Sequence, residues 1–204
     1  MARPRAFDEA EVLDAAVACF WRHGLEASSV HELAAEMGLN CPSVYNAFGD
    51  KRALFAQALE RYAERIMRER IRSLEQQSTP KDAIRAFFSS VIERSLDHAD
   101  QRGCLIVNSA MEVAPHDAEL RGVILNYLLE IETFFRGCIE RGQALGEIAA
   151  DLNPGDAARL FLGVMLGIRV AARTNRERAL LEGMARPALA LLETPNHSPA
   201  KGTK

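Results

Sequence analysis

The stretch from Ser28 to Lys51, SSVHELAAEMGLNCPSVYNAFGDK, constrains the fold more than any other part of this chain. Ser29 stands before an apolar periodic run and Glu32 follows three residues later, the spacing of a capping box. Val30, Leu33, Ala34 and Met37 recur at helical spacing and predict one buried face. Gly38 falls where a helix needs a left-handed residue to stop, and Leu39 supplies the apolar contact beyond it. Asn40 is a strong N-cap for a second helix, and Pro42 lies close to its first position, where a missing N–H costs little. Val44 and Phe48, four apart, anchor that helix to the first, while Cys41, Ser43, Tyr45, Asn46 and Ala47 point outward. Asp50 caps a third helix. Two short helices, a tight turn and an immediate third helix are the layout of a DNA-reading helix-turn-helix. The same periodicity also fits a plain hairpin in a helical bundle.

In a helix-turn-helix the second helix enters the major groove with its N-terminal residues at the base edges. Ser43 and Asn46 can hydrogen-bond bases or phosphates. Tyr45 reads as a phosphate ligand through its hydroxyl, since phosphate contacts position and base contacts specify. Lys51, in the first turn of the third helix, could hold a phosphate together with the free N–H groups there. Net charge offers no support, being −3 for the whole chain. Within residues 1–75 there are 10 Lys and Arg against 12 Asp and Glu. A basic footprint therefore has to be local: Arg3 and Arg5 on an N-terminal arm, then Lys51 and Arg52.

The set Ala15-Ala16, Phe20, Gly24, Ser28-Ser29-Val30, Leu33-Ala34, Gly38, Tyr45 to Phe48, Lys51 and Leu54-Phe55 resembles the N-terminal domain of the TetR family of bacterial repressors. The resemblance runs from about Phe7 to Phe55. It implies a homodimer that binds double-stranded DNA at a palindromic operator and releases it when a small molecule enters a C-terminal domain. Together with the helix-turn-helix spacing and the local basic footprint, it makes Arg3, Arg5, Ser28, Ser29, Asn40, Cys41, Pro42, Ser43, Tyr45, Asn46 and Lys51 the expected DNA-contacting set. Asn40-Cys41 replaces a more usual Ser followed by a basic residue, and Ala47 stands where many members carry His or Tyr. No operator sequence is carried over for that reason.

With 204 residues, 48% of them hydrophobic, the chain can bury a full core. No charged-then-apolar N-terminal segment reads as a signal peptide. The longest apolar run, Leu160 to Ala172, is broken by glycines and Arg169 and is too short to span a bilayer. Cys19, Cys41, Cys104 and Cys138 are widely spaced, which fits a reducing cytosol better than a disulfide framework or zinc site. No cofactor or metal motif and no nucleophile–base constellation is visible, so a helical enzyme or carrier is the weaker alternative.

The remaining sequence reads as all-α, about nine helices in total. Asp8 and Glu11 open the first, whose stripe ends at Gly24. A long fourth helix runs from Lys51 to about Ser73, and the polar patch Gln76-Gln77-Ser78 breaks the pattern. Helices follow from Thr79-Pro80, from Cys104 to Ala114, from Asp117 to about Ala144, from Asn153-Pro154 to about Arg173, and from Arg176 to Leu192. Pro187 must kink the last or end its regular part. The expected organisation is a helix-turn-helix domain at 1–50, a helical effector-binding and dimerisation domain at 51–194, and a disordered polar tail at 195–204.

Gly163, Gly167 and Ala171 lie four apart on a helix that is apolar nearly all round, a spacing that admits another helix closely. Leu181, Met184, Ala188 and Leu192 form the stripe of the last helix. Both sets read as core or as a subunit interface. The family resemblance favours the interface, a four-helix bundle made by the last two helices of each chain. Pockets are mostly apolar with a few orienting polar groups, and helices 4 to 8 supply Met67, Phe88, Ile92, Met111, Leu128, Phe134, Cys138, Phe161 and Met165, with Asn108 as the polar candidate. Cys104 follows Gly103 at an expected helix N-terminus, where dipole and free N–H groups favour a thiolate. Its GCLIVNSA context resembles that of family members that sense electrophiles. An activator rather than a repressor is compatible with everything in the sequence.

Overall fold

The computed structural model describes residues 8–77, 79–97 and 102–193. Among them are nine helical rods and no strand. The first three are α1 (Glu9–Ala27), α2 (Val30–Glu36) and α3 (Cys41–Phe48). The fourth, α4, is one rod built from Lys51–Ala63, a π-helical turn Glu64–Arg68 and Glu69–Gln77. The rest are α5 (Pro80–Asp97), α6 (Leu105–Glu112), α7 (Ala118–Ala144), α8 (Pro154–Ala171) and α9 (Arg178–Ala190). Arg3, Arg5, Ser78 and the tail 195–204 lie outside the described residues.

Local chemistry sets most helix ends. Asp8, Ser29, Asn40, Asp50, Asp117 and Asn153 each cap a helix by accepting a backbone N–H from its first turn. The regular part of α1 breaks at Gly24, where φ is +76°, and one more turn carries it to Ala27. That backbone conformation suits glycine alone among unstrained residues. α4 extends beyond Ser73 to Gln77, since neither glycine nor proline interrupts it. Arg68 bridges Glu60 and Glu130, and Arg72 pairs with Glu64 along the same rod. α9 accommodates Pro187 internally.

α1 packs along the first half of α4. Phe20 meets Phe55 edge-on at 5.0 Å, and Arg61 grips Asp14 with two bonds of 2.9 Å. Behind this head, α5, α7 and α8 enclose an aromatic centre of Phe87, Phe88, Phe134, Phe135 and Phe161. All five are buried. Phe88, Phe134 and Phe161, expected at a pocket, belong to this packed centre.

α8 and α9 pack on one another within the protomer. A Cβ at Gly167 would stand 3.1 Å from Met184 Cε, so glycine is what lets α9 approach there. Leu181, Ala188 and Leu192 are buried in the protomer's own core, at 0%, 4% and 0% exposure. They project inward because α9 turns that face toward α5 and α8. The outward stripes are other residues: Leu160, Gly163 and Val170 on α8, and Leu180, Gly183 and Leu191 on the last helix and its end. Among the described residues no helix is long and apolar enough to cross a membrane.

Candidate nucleic-acid interface and interior cavity

α2 and α3 are held in a fixed relation by capping and by buried anchors. Ser29 N–H donates to Glu32 Oε2 at 2.9 Å and Glu32 N–H donates to Ser29 Oγ at 3.1 Å, closing the capping box. At the other end Leu39 N–H reaches Ala34 O at 2.9 Å and Gly38 N–H reaches Ala35 O at 3.2 Å, with Gly38 at φ +64°. This pair of bonds is the Schellman stop, and it sets the angle at which α3 leaves. Asn40 Oδ1 accepts from Ser43 N–H at 2.8 Å to start α3. Val44 and Phe48 then bury to 2% and 3% exposure.

With that face pinned, the opposite face of α3 is free. Tyr45 is 51% exposed, and Pro42 and Asn46 are exposed beside it. Ser43 and Cys41 are half-buried, and Cys41 Sγ lies 3.4 Å from His31 Nδ1. Asn40 is exposed, its side-chain oxygen committed to the cap. Ser28 is placed differently from the other described members of the expected DNA set: it is buried, and its hydroxyl donates to Gly24 O at 2.6 Å. Lys51 Nζ donates to Glu26 O at 3.3 Å and Ser28 O at 3.1 Å, so it closes the end of α1 onto the start of α4. An ammonium has three donors, and one remains for an external acceptor.

Among the described residues, two side-chain ties stand out between the head and the rest of the chain. Arg52, in the first turn of α4, pairs bidentately with Asp117, the N-cap of α7, and reaches Glu119 at 2.9 Å. The arginine, with the α7 backbone N–H groups, holds the Asp117 carboxyl well below the usual carboxylate range. The second tie is aromatic. The Trp21 ring of α1 stands edge-on to Tyr62 at 5.1 Å, and Tyr62 Oη donates to Cys104 Sγ at 3.6 Å. Burial, reinforced by Cys104, pushes the Tyr62 hydroxyl far above its ordinary value.

Tyr62 and Cys104 lie on the wall of an interior cavity of about 50 Å³ between α4, α5, α6, α7 and α8. Of the expected pocket residues it gathers Met67, Cys104, Leu128 and Met165. Phe88 and Ile92 line a separate open groove of about 470 Å³ between α5 and α9. Asn108 is buried on the other side of α6, accepting from Arg173 at 2.9 Å and donating to Arg102 O at 2.8 Å. Met111 is 50% exposed and away from the cavity. Cys138 is buried beside Arg141, and burial pushes its thiol up to about 11. The cavity also gathers Tyr62, Arg70, Arg94 and Arg169, which the sequence reading did not select. The one available signal was Arg169 itself, a lone charge interrupting an apolar run. Among the described residues no group of three His, Cys, Asp or Glu side chains is placed to hold a metal ion.

Residues 12–58 match the model of bacterial regulatory proteins of the tetR family, and residues 80–188 match that of the tetracyclin repressor-like C-terminal domain. The chain is 29% identical over 194 residues to the HTH-type transcriptional regulator YezE of Bacillus subtilis, covering 95% of this chain and 100% of that one. It is 25% identical to the HTH-type transcriptional repressor ComR of Escherichia coli, covering 93% and 90%. Among solved structures it is similar to a cysteine mutant of the TetR family regulator CifR complexed with 26-base-pair operator DNA. That likeness has a TM-score of 0.80 and 33% identity, over 92% of this chain and 98% of the other.

Proposed function

The chain belongs to the TetR family of bacterial regulatory proteins, and from that premise we propose a dimeric repressor released from a palindromic operator by a small-molecule effector. The protein is a helix-turn-helix transcriptional regulator and not an enzyme. We assign residues 1–50 to DNA reading and 51–194 to effector binding and dimerisation, with α4 passing between them. Its workplace is the bacterial cytoplasm, at the nucleoid.

The observation that carries this reading is the outward face of α3. Val44 and Phe48 lock one side of the helix into the core, and Tyr45, Asn46 and Pro42 stand clear on the other. Asn46 and Ser43 suit base edges, and Tyr45 suits phosphate. The operator complex of the CifR mutant supports the same use of the head. Reading two half-sites needs two heads about one helical turn of DNA, or a multiple of it, apart. The outward stripes Leu160, Gly163, Val170 and Leu180, Gly183, Leu191 suit pairing with their copies in a second chain, with Ala171 and Met184 at the seam.

Release follows from a population shift. An effector that binds better to a head spacing unfit for DNA draws the protein off by that difference in affinity. The interior cavity is far smaller than the several hundred Å³ typical of ligand sites, so filling it must move its walls. α4 forms one wall and carries the head at its start; Tyr62–Trp21 and Arg52–Asp117 are the couplings. A footprint on DNA flanking the protein's own gene tests the reading. Protection of a palindrome, weakening steeply with salt, is expected. Binding with no preference for any site on that DNA would overturn it.

A further inference from the structure

Three guanidinium groups line the interior cavity, those of Arg70, Arg94 and Arg169, and among the described residues no Asp or Glu does. Several arginines elsewhere pair with carboxylates, among them Arg52, Arg61, Arg68, Arg72 and Arg178. The cavity group differs. Arg169 is 8% exposed and donates to a neutral acceptor, Ser95 Oγ, at 3.2 Å. The Ser95 proton already goes to Val91 O at 2.7 Å. The Arg94 side chain makes no hydrogen bond or ion pair among the described residues, and burial pulls its pKa down, opposed by Tyr62 and reinforced by Arg169. Arg70 Nε is buried without an acceptor, while its Nη2 reaches Ala86 O at 3.4 Å. Arg169 is buried and Arg70 and Arg94 are half-buried; charge withdrawn from water without a counter-charge is costly, and a guanidinium cannot escape by losing its proton. Tyr62, Ser90 and Cys104 add neutral polar groups, and the rest of the described wall is apolar, including Ile66, Met67, Phe87, Ile131 and Met165.

We propose that this cavity receives an organic carboxylate with a small apolar body, its oxygens held by Arg94 and Arg169 and its body lying against the apolar wall. The planar fork of arginine matches a carboxylate in two parallel bonds. The mostly apolar wall favours a singly charged ion over a doubly charged phosphate ester. Arg94 lies on α5, Arg169 on α8 and Arg70 on α4, so one anion would draw three helices toward a common point. This rests on the reading of the cavity as the effector site, and deepens it by naming the chemical class.

The test uses the full chain and two matched pairs of probes, phenylacetate against phenylacetamide and octanoate against octanamide, with phenyl phosphate as a third arm. Binding is followed by calorimetry and by emission of Trp21, the single tryptophan of the chain, which abuts Tyr62. At least one carboxylate is expected to bind roughly tenfold or more tightly than its amide, and Arg94→Gln or Arg169→Gln to lose roughly that factor. Arg178→Gln, on an exposed pair with Glu93, should bind as wild type does. Arg94→Lys, which keeps the charge, should retain part of the affinity, a result that loss of folding cannot mimic. Equal binding of acids and amides overturns the proposal, as does wild-type affinity in both glutamine variants. Absence of any carboxylate binding by protein that still holds its operator does the same. Preference for phenyl phosphate would replace the carboxylate by a phosphate ester. Arginine-dependent carboxylate binding that leaves the operator complex intact would keep the anion site and overturn the effector role of the cavity.

Discussion

The hydroxyl of Tyr62 donates to the sulfur of Cys104 at 3.6 Å, joining the middle of α4 to the N-terminal boundary of α6. On its other side the same ring meets Trp21 of the DNA-reading head. A group attached to Cys104 would therefore occupy the cavity covalently and is expected to push on the ring that touches the head. N-Ethylmaleimide applied to the Cys41→Ser protein is expected to weaken operator binding by about tenfold or more and to change Trp21 emission. Cys19 and Cys138 should react slowly, since burial raises both thiols. Adding Cys104→Ser should abolish the response; an unchanged response would break the link between cavity and head.

Tyr45 and Asn46 separate the two kinds of DNA contact. Both are exposed, so alanine at either should leave stability within about 0.5 kcal/mol. Asn46→Ala should cost about 1–3 kcal/mol at the preferred base and relax preference there. Tyr45→Ala should weaken all sequences alike without altering the salt slope, because tyrosine carries no charge. Competition binding with a half-site library distinguishes the outcomes. Loss of folding in either variant would instead mean the outward face is structural.

Gly163 tests the outward stripe of α8. A Cβ there would meet nothing within 4 Å in the protomer, so a larger side chain costs the single chain nothing. Gly163→Leu should even add up to about 1 kcal/mol of helix stability. If two copies of α8 approach one another at this point, the same change should shift the protein from dimer to monomer and abolish operator binding. Val170→Arg, 43% exposed in the wild type, should do likewise. Sedimentation equilibrium reads the state, and dimeric behaviour in both variants would move the interface elsewhere.

Asp14 supplies a pH signature for the clamp between α1 and α4. Its hydrogen bond to Arg61 lowers its pKa against the opposing effect of burial, with Arg65 adding to the fall. A carboxyl with a depressed folded value stabilises the fold above its unfolded value, near 4, and loses that contribution as pH falls through the folded value. Both side chains are about a third exposed, so the contribution should not exceed about 1 kcal/mol. Wild type should melt above Asp14→Asn at neutral pH, with the gap closing below the carboxylate range. A gap constant from pH 7 to 2.5 would assign the effect to packing.

The helix-turn-helix was legible because its determinants are local. The capping box, the Gly38 stop and the Asn40 cap each act within five residues, and the structure forms the same hydrogen bonds that their spacing predicts. Ser28 was not legible in the same way. Its neighbours suggested a DNA contact, but the turn after Gly24 points its hydroxyl back at that residue's carbonyl.

The sequence by itself determined an all-helical chain, its helix-turn-helix and the apolar stripes of its later helices, because spacing along one helix is a short-range property. Tertiary structure alone decided which stripe faces inward. Leu181 and Leu180 are adjacent and equally apolar, yet one is 0% exposed and the other 39%. That difference comes from the rotation of α9 against α5 and α8, which no local spacing encodes. The arginine cluster depends on the same kind of information. Arg70, Arg94 and Arg169 sit on three helices far apart in the chain, and only the packing of those helices brings their charges to one cavity.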